Sequence, residues 1–101
     1  ARLTELEEQS PEVALEASYR MRETLHSNMV SIQNKLKVER EKHEAAVDRV
    51  IHEHRTPDSV ESLRTINRTI HVFETYLTYS RIEFNDLKDY EKTVQRKLVA
   101  A

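Results

Sequence analysis

The chain has 101 residues, enough for one small domain, of which 38% are hydrophobic and 34% charged. The 16 Lys and Arg against 18 Asp and Glu leave a formal charge of −2, which is not the basic excess of a dedicated nucleic-acid binder. With no glycine there is no phosphate-cradling loop or Rossmann turn, and with no cysteine there is no disulfide, thiolate metal site or cysteine nucleophile.

Residues 1–9, ARLTELEEQ, read as a frayed turn or a short helical lead-in. The chain begins at Ala1 rather than methionine, as a processed or excised piece of something longer does. Nothing in it reads as a secretory signal, and the longest apolar run, from Leu98 to Ala101, is far too short to span a bilayer. The expected compartment is the cytoplasm.

Ser10-Pro11-Glu12 has the form of a helix start: a hydroxyl to cap an orphan N–H, a proline at the first helical position, and an acid against the positive helix end. No breaker follows, so the first long helix is expected over 11–54. Alternating steps of three and four residues give Leu15, Ser18, Arg22, Leu25, Met29, Ile32, Leu36, Glu39, His43, Ala46 and Val50, seven of eleven apolar. Glu39 and His43 interrupt this seam, and Met21, Val47 and Ile51 flank it. Two readings fit the interruption: a pH-sensitive weak point or register device, or a local outward bulge that leaves both residues solvated.

The stretch HEHRTPDSVESL, His52 to Leu63, carries the next boundary. His52, His54 and Arg55 complement a helix C-terminus, so the first helix is expected to end near His54 or Arg55. Thr56-Pro57-Asp58 repeats the start signal, with Thr56 or Asp58 as cap, the latter boxed with Glu61. A second helix follows over 57–100. Its seam is cleaner: Leu63, Ile66, Ile70, Phe73, Leu77, Ser80, Phe84, Leu87, Glu91, Val94 and Leu98, nine of eleven apolar. At 1.5 Å per residue each helix extends about 65 Å.

A connection this short folds two helices into an antiparallel pair. Charge agrees, because the acidic start (Glu5, Glu7, Glu8, Glu12, Glu16) then lies beside the basic end (Lys88, Lys92, Arg96, Lys97). Arg22 falls near Glu91 in this register, two polar seam positions that could pair. The expected fold is therefore all-α: one antiparallel two-helix hairpin, a coiled coil spanning 1–101, completed to a four-helix bundle by dimerisation or by a partner. Two helices bury only one seam, and exposed apolar surface of this kind marks an interface. Ile70, Phe73, Tyr76, Tyr79, Ile82 and Tyr90 are the expected partner-binding residues.

Glu23 and His26 have the Glu-x-x-His spacing of di-metal bundles, but helix two has no second such motif, and an ordinary surface pair is favoured, with no metal or cofactor expected. Lys35, Lys37, Arg40 and Lys42 are interleaved with Glu39, Glu41 and Glu44 and lack an aromatic to stack a base, so no nucleic acid is expected. The stripe Lys88, Lys92, Arg96 is best explained by the hairpin pairing, with membrane-surface binding a lesser reading. No serine, histidine and acid fall in a motif for nucleophilic catalysis, so no enzyme is expected. The expected function is a non-enzymatic interaction or scaffold module, forming a homodimer or completing a bundle with another helical protein. The alternatives are a small-GTPase effector coiled-coil finger, a di-metal helical bundle and a lipid-surface binding module. In architecture alone, such a hairpin is similar to Rho-effector fingers, tubulin-binding cofactors and vesicle-tethering subunits.

Overall fold

A computed structural model describes residues 2–53 and 55–100. It contains three helices, α1 (Arg2–Gln9), α2 (Pro11–His52) and α3 (Pro57–Ala100), and no strand among the described residues. The lead-in thus forms a helix of its own. Ser10 separates it from α2 while serving both: its N–H donates to the Leu6 carbonyl at 2.7 Å and its carbonyl accepts from Ala14 N–H at 3.1 Å. The break comes from Pro11, which has no N–H for the Glu7 carbonyl. The Ser10 hydroxyl meets the Val13 N–H at 3.4 Å, the cap geometry expected of it.

The start of α3 resolves the choice between Thr56 and Asp58. Thr56 Oγ1 accepts from the Ser59 N–H at 3.1 Å, and Ser59 Oγ accepts from the Thr56 N–H at 3.0 Å. This is a capping box closed by serine rather than by Glu61. The Ser59 hydroxyl also donates to the Thr56 carbonyl at 2.8 Å, so one side chain both gives and accepts. At the other side of the joint α2 ends at His52, and Glu53 N–H still donates to the Arg49 carbonyl at 2.9 Å. The expected terminus at His54 lies outside the described residues.

Every one of the twenty-two seam positions named from the sequence is buried or half-buried. In heptad terms Leu15 and Leu63 occupy a positions, Ser18 and Ile66 d positions, and the phase holds along each helix. The residues just before each a position, the g positions, lie along one edge of the seam. Those just after each d position, the e positions, lie along the other.

The contacts gather into two units. One joins the segment up to Asn28 with the segment from Tyr79 onward; the other is Met29–Thr78. The first unit brings three helices together, because α1 is held on the end of α3 through Tyr90 and Lys97. It holds most of the buried side chains: Ala14, Leu15, Ser18, Ser80, Leu87, Glu91 and Val94. The Met29–Thr78 unit is a pair of helix stretches joined through the joint. Among its described residues only Leu36 and Leu77 are buried, and the rest of its seam, from Met29 and Ile32 to Ile70 and Phe73, is half-buried.

Candidate protein-docking interface

In the three-helix unit a polar layer crosses the seam. Glu91, 4% exposed, accepts from Ser18 Oγ at 2.8 Å and from Arg22 Nε at 3.1 Å, and its second oxygen meets Arg22 Nη2 at 2.8 Å. The pairing of Arg22 with Glu91 is the one the antiparallel register predicts. The part played by Ser18 was not legible in the sequence, where it reads only as a gap in an apolar seam. Tyr19 and Gln95, both e residues, add a bond of 2.7 Å from the amide to the phenol oxygen. Tyr19 preceding Arg22 on α2 while Gln95 follows Glu91 on α3 makes the pairing antiparallel in this unit.

On the opposite edge, g residues of α3 hold α1. Tyr90 Oη donates one proton shared between the Leu3 carbonyl at 3.2 Å and Glu7 Oε2 at 3.0 Å. Lys97 Nζ donates to Glu7 Oε1 at 2.8 Å. The lysine above all, then the tyrosine hydroxyl, hold the Glu7 carboxyl below its ordinary value of 4.5. Burial, aided by the bond to the Glu7 carboxylate, pushes the Tyr90 phenol up to about 12. Tyr90, expected among the partner-facing residues, is therefore half-buried and engaged by the chain's own first helix.

A cleft of about 610 Å³ on the e edge of this unit is lined by Tyr19, Arg22, Glu23, His26, Ser27 and Phe84. Its rings are already faced by cations of the chain: Arg22 stands 5.7 Å from the Tyr19 centroid and 5.6 Å from that of Phe84, and Lys88 stands 5.9 Å from Phe84. His26 tilts against Phe84 at 6.4 Å. Glu23 and His26 thus share this cleft wall, and among the described residues no three His, Cys, Asp or Glu side chains converge as metal ligands would.

The remaining residues expected to face a partner divide between the units. Ile70 and Phe73 are half-buried seam residues of the Met29–Thr78 unit, and Tyr76, on its g edge, is 38% exposed. Tyr79 and Ile82, in the other unit, are 68% and 52% exposed. In the Met29–Thr78 unit the e edge is bridged by Arg40 and Glu74 at 3.7 Å. Glu39 and His43 are half-buried in its seam, with Glu39 bonded to Lys42 at 3.0 Å. Among the described residues no helix is long and apolar enough to cross a membrane. No protein-family model matches the chain, and neither do any curated proteins or solved structures.

Proposed function

We propose that the chain is a non-enzymatic protein–protein interaction module that completes a helical bundle with another chain, either a second copy or a different helical protein. The observation that carries this reading is the half-covered seam of the Met29–Thr78 unit. Met29, Ile32, Leu63, Ile66, Ile70 and Phe73 keep part of their surface in water, whereas the other unit, where a third helix docks on α3, buries Leu15, Leu87 and Val94. Each apolar Å² still wet is worth about 25 cal/mol on burial, so a helix laid on this pair is strongly favoured by the hydrophobic effect. Val72 and Tyr76 add exposed apolar area on α3 in this unit, and Tyr79 and Ile82 do so in the other. Such surface is the usual mark of an interaction site.

Sedimentation velocity over a concentration series tests the reading, run beside hydrogen exchange on the same samples. Self-association appears as a mass above the monomer that returns to monomer in a Tyr76→Ser, Tyr79→Ser, Ile82→Ser variant. Completion by a different protein leaves a monomer whose Met29–Thr78 amides exchange much faster than those around Leu87 and Val94. A monomer at every concentration with both units equally protected has no need of completion, and the reading falls.

A further inference from the structure

We propose that the g edge of the Met29–Thr78 unit docks one α-helix of a partner protein, apolar along one face and acidic along its flank. The inference rests on the bundle-completing reading above and names the chemistry of the occupant.

The two edges of this unit differ in charge. On the e edge Arg40 of α2 meets Glu74 of α3, and the pair satisfies itself. On the g edge α2 carries Lys35, Lys42 and Arg49, spaced by seven residues and all exposed. Across from them the g residues of α3 are Ser62, Thr69 and Tyr76, none of them acidic. The Thr69 hydroxyl bonds back to the Thr65 carbonyl at 3.1 Å. Its hydrogen-bonding demand is met within the helix, which leaves a methyl group for packing. Tyr76 adds a ring with a polar tip, a residue type suited to interfaces. The edge is therefore an uncharged strip beside a regular row of cations, next to a seam that is itself half-open. Lys42 also contacts Glu39 of its own helix at 3.0 Å, a local bond that leaves its side chain 58% exposed.

The molecule already contains one docking of this kind. α1, with the sequence RLTELEEQ, lies on g residues of α3 in the other unit and places Glu7 between Lys97 and Tyr90. An acid of a third helix is there received by a cation and a tyrosine. The Met29–Thr78 unit offers three cations and a tyrosine on its g edge, with no third helix within that unit among the described residues.

Charge also selects against a second copy on this face. Two copies meeting face to face bring the same cations together and no acid in either g row, and like charges across a helix pair repel. A copy presenting another face without the reciprocal contact makes a heterologous interface, which builds rings or filaments rather than a defined pair.

The test is binding of two synthetic helical peptides by fluorescence anisotropy. Both contain about four heptads with leucine at a and d. One has glutamate at its flanking positions and the other lysine; self-repulsion keeps each from pairing with itself. The full chain is expected to bind the glutamate peptide at least roughly tenfold more tightly than the lysine peptide. In a Lys35→Glu, Lys42→Glu, Arg49→Glu variant the preference reverses. Circular dichroism melts check that this variant folds, and loss of wild-type affinity with added salt, together with new hydrogen-exchange protection within Met29–Thr78, gives a readout independent of it. Equal binding of the glutamate peptide to both proteins overturns the assignment of this edge. Failure to bind either peptide, with self-association in sedimentation, overturns the acidic occupant and leaves bundle completion by a second copy. Failure of both removes both readings. Flotation with vesicles of anionic phospholipid that is lost in the triple variant, without peptide binding, replaces the partner helix by a lipid surface.

Discussion

A carboxylate taken out of water costs several kcal/mol unless cations and hydroxyls surround it, and Glu91 meets that demand with Arg22 and Ser18. Removing one partner is worse than removing both. Arg22→Ala strands the buried carboxylate and is expected to cost about 2–3 kcal/mol in urea unfolding, below the full penalty because the arginine side chain is 30% exposed. Arg22→Leu with Glu91→Leu is expected to recover that loss, since a well-packed apolar pair often equals a buried ion pair. A double variant as weak as the single would show that the polar layer carries stability itself. His43 poses a milder case. It sits half-buried at an a position with Ile70 and Phe73 in the same unit. His43→Leu is expected to raise the melting temperature by a few degrees, about 1 kcal/mol in a domain of this size. These residues also show where sequence reasoning stopped. The Arg22–Glu91 pair follows from register arithmetic, whereas Ser18 donates to Glu91 only because the helices close to within hydroxyl reach, a distance no spacing rule supplies.

At the scale of elements, caps and a latch decide where helices begin and whether they stay docked. The Thr56–Ser59 box satisfies two N–H groups reciprocally, so Thr56→Ala and Ser59→Ala are each expected to cost about 1 kcal/mol in thermal melts, with the double variant costing less than the sum. The sequence showed that a helix starts here but offered two hydroxyl- or acid-led caps; a serine three residues after Thr56 turned out to close the box. The docking of α1 depends on pH at both ends. Glu7 has a lowered folded value, so its contribution is complete above its ordinary 4.5 and is lost as pH falls through the lowered value. Tyr90 has a raised value, so its contribution is complete below its ordinary 10 and is lost as pH rises through about 12. Hydrogen exchange of α1, corrected for intrinsic rates, is therefore expected to show a plateau of protection between about 4.5 and 10, with loss on each side. Lys97→Ala is expected to lower the plateau and move its acid edge upward. The eight residues of α1 held few clues to this role. The acid–base match of the two chain ends was legible, but the tyrosine that bonds Leu3 and Glu7 read as an outward anchor.

Considered as a whole molecule, the chain repeats one seam with two degrees of closure. The periodicity that placed all twenty-two seam residues at least half out of water is a property of each helix alone, which is why it could be read without the structure. The unit that buries more of its seam is also the one in which g residues of α3 hold a third helix. Local stability should follow closure, because amides open most readily where few apolar groups are buried. Backbone amides around Leu15, Leu87 and Val94 are therefore expected to be the slowest to exchange, and those of Ile66, Ile70 and Phe73 faster by at least roughly tenfold, a difference of about 1.4 kcal/mol in opening free energy. A helix bound on the g edge of Met29–Thr78 should slow the second group and leave the first unchanged. Equal exchange in both groups without a bound helix would mean that Leu36 and Leu77 suffice to close their unit, and half-burial would then be its finished state.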